Sequence, residues 1–309
     1  MSNKYGIDVE YFADKPSECV ELLSRYLNKG HLGLLLGSGA SSGIGLPGWK
    51  ELVLSISNDI IPDSITPGKT EYSGHELKDL AQAFKRKIND QTQYYQIVKE
   101  HLYKGVSFDF SLARKELLIA LSALIVGKRR GNVQEIFTYN FDSVLEWYLQ
   151  ILGLDVNTII DKQSLAKVSD VNITHIHGYL PNPGLKVEDS DFLVFSQREF
   201  IDRQLSAEDY WKNSFYDFFR KYTFLAIGLS VDSLINDVCP YLTQMDTWYE
   251  RNKINRLYPY GIAFLSPNTM NKELFPELLK HGIIPCTFPT HDDVPLNIFA
   301  ILQKAASLS

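Results

Sequence analysis

Two kinds of apolar pattern alternate along the chain. Short uninterrupted runs occur at Leu32–Leu36, Ile136–Tyr139, Val156–Ile160, Ile173–Ile176, Phe192–Phe195, Phe224–Gly228, Gly261–Leu265 and Ile283–Phe288. Their length and their β-branched and aromatic content predict strands, and a uniformly apolar strand is one covered on both faces. Between them lie stripes at helical spacing. One is PSECVELLSRYLNK over 16–29, and another closes the chain at Leu296–Ala306. The region from about 50 to 130 shows no alternation. It carries the stripes Leu77–Leu80–Ala81–Phe84–Ile88, Tyr95–Val98–Leu102 and Leu117–Leu118–Leu121–Leu124–Ile125. Pro62–Gly74 reads as a surface excursion. Strands alternating with helices predict an α/β fold, a doubly wound, Rossmann-like parallel sheet. An all-helical module at about 50–130 is inserted into it, and residues 1–309 read as a single domain. No internal repeat or low-complexity tract interrupts the pattern.

The first apolar run breaks at once into LGSGASSGIGLPGW, with Gly37, Gly39, Gly43 and Gly45. A strand, a glycine-rich turn and a helix entrance let backbone approach a ligand and offer N–H groups to phosphate oxygens. A dinucleotide pyrophosphate is the expected occupant. The spacing is GxGxxxGxG, not the GxGxxG of ordinary dinucleotide dehydrogenases, and Asp59 falls inside a helical stretch, not at the end of a second strand. A tight turn with no ligand remains an alternative on this motif alone.

Composition narrows the field. Of 309 residues, 45% are hydrophobic and 22% charged, an ordinary globular balance. Lys and Arg total 31 against 37 Asp and Glu, for a net charge of −6, which gives no global signature for nucleic acid. The basic cluster Lys128–Arg129–Arg130 reads as a solvated loop. Three scattered cysteines, Cys19, Cys239 and Cys286, include no CxxC pair, so no paired-cysteine zinc site is expected and no metal is predicted. The sparse cysteines, the absence of an apolar leader in MSNKYGIDVEYF and the lack of a run long enough to span a bilayer predict a cytoplasmic protein.

Ligands of such a sheet bind beyond the carboxyl ends of its strands. Four polar clusters fall there: Gly37–Gly45, Thr138–Asp142, His175–Gly178 and Gly228–Asp232. Each has a plain structural reading. Asn140 and Asp142 suit a helix cap, as do Ser230 and Asp232, and His177 before Gly178 suits a turn. Their recurrence at one edge of one sheet favours a site.

GSGASSGIGLPGW, TYNFD, HGYLP and IGLSVDSL, in this order over roughly residues 20–300, resemble the NAD-binding and catalytic motifs of the sirtuin superfamily. The resemblance implies NAD as substrate. It places the dinucleotide on Gly37, Ser38, Gly39 and Ala40, with Gly228 and Ser230 holding it from a later motif. Asn140 and Asp142 fall at the nicotinamide ribose and His177 takes the catalytic position. The adenine end falls near a C-terminal loop, here around His291–Val294. The chain departs from the protein deacylases of the family. It has Gly45-Leu46-Pro47-Gly48-Trp49-Lys50 where they carry an acidic-aromatic-basic stretch, and the helical module stands in place of their four-cysteine zinc module. In this it is similar to bacterial sirtuin-like proteins of antiphage defence that hydrolyse NAD. These are the Thoeris effector, the short-Argonaute-associated proteins and the sirtuin-like partners of HerA-type ATPases.

These residue types suit that chemistry. Cleaving the nicotinamide glycosidic bond develops oxocarbenium character at the ribose carbon, and the cationic pyridinium leaves as a neutral base without a general acid. The site must orient the ribose, exclude bulk water and activate one water. Asn140 can fix a water or a ribose hydroxyl. His177 can accept a proton, since imidazole titrates near about 6.5. Asp142 is expected to orient, though it could also stabilise positive charge. The leading expectation is an NAD glycohydrolase releasing nicotinamide and ADP-ribose. The alternatives are a zinc-free NAD-dependent protein deacylase and a non-catalytic sensor of NAD or ADP-ribose. With no room after the last helix for a sensing domain, control is expected from a homo-oligomer and a partner sensor, a HerA-type ATPase or an Argonaute-type protein. The candidate surfaces are the helical module and the aromatic segment Tyr210–Tyr222. Neither direct nucleic-acid binding nor membrane association is expected.

Overall fold

The computed structural model describes residues 5–127, 132–161, 167–186, 193–205, 210–266 and 271–308. The Lys128–Arg130 cluster lies outside the described residues.

Seven strands form one sheet: β1 (Leu32–Leu36), β2 (Glu135–Thr138), β3 (Val156–Ile159), β4 (Val171–His175), β5 (Thr223–Ile227), β6 (Gly261–Leu265) and β7 (Ile283–Thr287). Their order is β3-β4-β2-β1-β5-β6-β7, and every neighbouring pair is parallel. This is a Rossmann-like α/β sheet. From β1 the chain adds β2, then the edge strand β3, then β4 between those two, and returns to add β5, β6 and β7 on the other side of β1. The order therefore reverses between β1 and β5, and a crevice opens beyond the carboxyl ends at such a switch point.

The apolar strands feed two cores by simple alternation. Leu32, Leu34 and Leu36 of β1, Ile136 of β2, Leu225 and Ile227 of β5, and Ile262 and Phe264 of β6 point into one. Leu35, Phe137, Phe224, Ala226, Ala263 and Leu265 point into the other. Successive strand side chains face opposite ways, so burial on both faces requires continuous apolar sequence. The first core is covered by helices Pro16–Lys29, Glu116–Val126 and Asp293–Ser307, which pack on one another. The second is covered chiefly by Tyr210–Lys221 and Cys239–Arg251. Trp211, Phe215, Phe218 and Phe219 are buried there, as large aromatics at helical spacing usually are, so most of this segment's aromatic content is core. Gly33 makes room for it: a Cβ on Gly33 would lie 2.3 Å from the Phe218 ring.

Among the described residues between β1 and β2 the chain is helical wherever it is regular, as its periodicity predicts. Helices Trp49–Ile60, Gly74–Ile88 and Gln91–Leu102 pack together, and Asp59 pairs with His101 at 3.3 Å. A single turn, Gly39–Ser42, follows the glycine loop, and the longer helix begins at Trp49, where the apolar stripe Leu52, Val53 and Ile56 puts it. One local expectation changes: the described part of the Phe192–Phe195 run is not a strand of the sheet. Of its described residues, Leu193 makes one antiparallel bridge to Gly178, after which the chain enters helix Gln197–Leu205. The amide of Val194 donates to the carbonyl of His177 at 2.6 Å, so the segment pins the end of β4 without extending the sheet. Among the described residues no helix is long and apolar enough to cross a membrane.

Candidate active site

A cleft of about 520 Å³ opens at the switch point, within the ordinary range for small-molecule sites. Gly37, Ser38 and Ser41 line it from the loop after β1, Asn140 and Asp142 from that after β2, His177 from beyond β4, and Gly228 and Ser230 from beyond β5. The helical module closes the opposite side with Trp49, Leu77 and Lys78, joined by Phe200 of the later helix. Of the residues expected from sequence, Gly37, Ser38, Asn140, Asp142, His177, Gly228 and Ser230 thus share one cavity. Gly39 turns toward a second cavity of about 420 Å³, which it shares with Gly43, Gly228, His291, Asp292 and Val294. The loop expected near an adenine therefore adjoins the far side of the glycine turn. Ala40 is buried in the core beneath it.

The two loops at the switch point cross in contact. The Gly37 amide donates to the Ile227 carbonyl at 2.9 Å and the Gly39 amide to the Gly228 carbonyl at 3.0 Å. Gly228 has φ +76°, and a Cβ there would lie 2.1 Å from the Ala40 nitrogen. At Gly39 a Cβ would meet the Gly228 Cα at 2.7 Å. These glycines are needed for the crossing itself, and the left-handed backbone is at Gly228 and Gly45, not at Gly39. The helical turn is also less open to a phosphate than expected, since the Ala40 and Ser41 amides already donate to Gly37 and Ser38. Ser38 is left exposed at the rim.

On the other side of β1 a short relay fixes Asn140. Its Nδ2 donates to Ser41 Oγ at 2.9 Å, and Ser41 donates in turn to Asp142 Oδ2 at 2.9 Å. A hydroxyl has one proton to give, so the Asp142 bond sets the orientation in which Ser41 receives the amide. Asp142 Oδ1 accepts the Val144 amide at 3.1 Å, the first N–H of helix Val144–Ile151, whose N-cap is Ser143. With both oxygens engaged and the carboxyl buried, Asp142 orients its neighbours. Burial, reinforced by the nearby Glu146 charge, pushes its pKa above the usual carboxylate range, while Val144, Ser41 and His175 pull it back. Asn140 Oδ1 is left buried with no partner, an acceptor at the cleft wall. Trp49 Nε1 is a buried donor in the same condition.

His177 stands edge-on between two rings, with centroids 4.8 Å from Tyr139 and 4.9 Å from Phe200. Ser230 caps the turn Val231–Ser233 by accepting the Ser233 amide at 3.1 Å, so its structural and site readings hold together.

Sequence reasoning did not assign Ser41, Lys78, Phe200 or Asp237. Ser41 lies inside the glycine motif and could have been weighed as a hydroxyl beside Asn140. Asp237 gives no such signal. It reaches the cleft because Leu234–Val238 winds as a π-helical turn, a distortion frequent at functional sites. Burial pushes its carboxyl up to about 6, with Lys78 pulling it the other way. Between its ordinary value of 3.8 and about 6 the folded chain thus holds a proton that the unfolded chain has lost. Stability contributed here falls as pH rises through that window, and the full cost stands above it. Asp237→Asn should therefore melt higher than the parent at pH 8 and lose that advantage by pH 4. Thermal melts across this range check it, and an advantage independent of pH would contradict it.

Residues 134–239, from the start of β2 to the start of helix Cys239–Arg251, match the family model of the SIR2-like domain. That stretch carries Asn140, Asp142, His177, Gly228 and Ser230, and it is similar to the SIR2-like domains of the sirtuin-like superfamily, whose enzymes generally use NAD. No curated protein matches the chain. Among solved structures, cytosolic 5′-nucleotidase IIIB bound to cytidine is similar at 13% identity over 97% of each chain with a TM-score of 0.38, too remote to bear on fold or chemistry.

Proposed function

We propose that the protein is an NAD glycohydrolase that releases nicotinamide and ADP-ribose. The observation that carries this reading is the unpartnered acceptor Oδ1 of Asn140, held by the Ser41–Asp142 relay in the same cleft as His177. A ribose hydroxyl or an attacking water supplies the donor it lacks. The nicotinamide ribose lies against Asn140 and His177, the pyrophosphate at Ser38 and the loop crossing, and the adenosine in the second cavity beside His291–Val294. In the reaction the C–N glycosidic bond breaks and its electron pair stays on the pyridine nitrogen, neutralising it. Water oxygen bonds to the ribose carbon and its proton passes to His177. The walls from Leu77, Trp49 and Phe200 keep bulk water from the oxocarbenium-like centre. A setting in antiphage defence, a homo-oligomer and a partner sensor rest on the resemblance to the NAD-hydrolysing sirtuin-like proteins and form part of this proposal.

Purified protein incubated with NAD, with and without an acetyl-lysine peptide, tests the activity by separation of the products. Nicotinamide and ADP-ribose in equal amounts, independent of the peptide, are expected. Turnover only with the peptide would make the protein a deacylase. Tight binding without turnover would make it a sensor.

A further inference from the structure

His175 lies two residues before His177 and outside the cleft, 1% exposed, yet it braces the segment that carries Asn140. It pairs in register with Thr138 at the end of β2. From there its ring spans the loop to the following helix. Nδ1 lies 2.9 Å from the Asn140 carbonyl oxygen, and Nε2 lies 2.5 Å from Oε1 of Glu146, in the first turn of helix Val144–Ile151. Both partners are acceptors, so both ring nitrogens serve as donors. The imidazole thus ties two points that flank Asp142, one on each side. The segment's outward face meets the Ser41 relay in the cleft, and its inward face meets His175.

We propose that His175 is a positioning residue for glycosidic cleavage: its Nδ1–H holds the Asn140 main chain, and the Glu146 carboxylate holds the imidazole. The proposal rests on the NAD glycohydrolase reading. The other groups around the ring are the Asp142 carboxylate and the Tyr179 ring, whose centroid lies 4.9 Å away. Burial works against charging this imidazole. The charge and hydrogen bond of Glu146, with the Asn140 carbonyl and Asp142, outweigh it and leave the pKa above the usual value. An imidazolium between two fixed acceptors keeps both N–H donors and one ring orientation, as a pre-set support for the reacting groups demands.

Two paired variants separate positioning from packing. In His175→Asn with Glu146→Gln, the shorter amide places a donor where Nδ1 stands and keeps the bond to Asn140. In His175→Gln with Glu146→Gln, the longer amide reaches toward residue 146 and gives up Asn140. Changing Glu146 in both avoids a buried unpaired carboxylate. The first should keep kcat within about threefold of the parent, while the second should lose on the order of tenfold to a hundredfold in kcat with KM little changed. His175→Leu with Glu146→Met fills the same space without polar atoms and should behave as the second variant. The side-chain amide resonance of Asn140, identified by its loss in Asn140→Asp, should move in the second and third variants and stay in the first. That signal is read in the protein without substrate, so it decides the structural tie even if the parent shows no NAD hydrolysis, a result that would overturn only the function proposed above. Equal kcat in all folded variants, or an unmoved Asn140 amide in the second and third, overturns the proposal.

Discussion

His177→Ala and Asn140→Ala should each abolish NAD hydrolysis while the protein stays folded. His177 is half-buried between Tyr139 and Phe200, and its main-chain tie to Val194 survives the substitution. Asn140 likewise holds no core packing, and its loss leaves Ser41 still donating to Asp142. The expected loss is that of a positioned proton acceptor or ribose contact, about 10²–10⁴-fold in turnover. Initial rates with excess enzyme, read beside thermal melts, check both. Near-parental turnover by a folded His177→Ala protein would remove that imidazole from the mechanism. Asn140→Ala should in addition weaken binding of ADP-ribose, because Oδ1 is the acceptor left without a partner in the wall.

The loop crossing carries the second large effect. Gly228→Ala puts a methyl group 2.1 Å from the Ala40 nitrogen and forces a side chain onto a left-handed backbone. Gly39→Val drives its Cβ to 2.7 Å from the Gly228 Cα, with two further methyls beyond it. Neither neighbour is a flexible side-chain end, so the loops must part. Both variants should lose dinucleotide binding, and each should cost roughly 1–3 kcal/mol of stability. Gly43→Ala is the control, since a Cβ there meets nothing within 4 Å, and it should melt like the parent. Calorimetry with ADP-ribose and melting curves give the answer. Unchanged affinity in Gly228→Ala would mean that the crossing has no part in holding the ligand.

Much of the fold was legible because the sheet is parallel and covered on both sides. Burial on both faces leaves continuous apolar runs, which is why the strand positions emerge from the sequence to within a residue or two. Helix Pro16–Lys29 was equally plain, with its apolar stripe and Gly30 at its end in the left-handed region. The Phe192–Phe195 run shows the limit of the same signal. An apolar run marks burial, and burial against Phe84, Trp49 and Phe141 is what Phe195 has, without a ladder. The clustering of polar residues at strand ends pointed to one crevice, and seven of the expected residues line it. What the sequence could not disclose is partnership. Asp142 reads as a cap or as a site residue, and it accepts the first amide of the following helix while lining the cleft. His175 and His177 look alike two positions apart, and strand alternation would put both on one face; the strand ends at His175, and the turn through Gly178 sends one to a buried carboxylate and the other to the cleft. Asp237 depends on an irregular winding that no spacing predicts.

The crossing of the glycine loop with the turn after β5 has a temporal side. Its two strands come from opposite halves of the chain, and each loop completes the other through the Gly37–Ile227 and Gly39–Gly228 hydrogen bonds. Pairings of such long sequence separation form late, because the intervening chain must first be confined. During synthesis the segment bearing the glycine motif leaves the ribosome well before the one bearing Gly228, and domains form as units only when their distant parts are both present. A partly made chain therefore has Asn140 and Ser41 but lacks the far lip of the crevice. The fold delays the appearance of the proposed dinucleotide seat until β5 has docked, so nascent or truncated chains are born without that lip of the crevice.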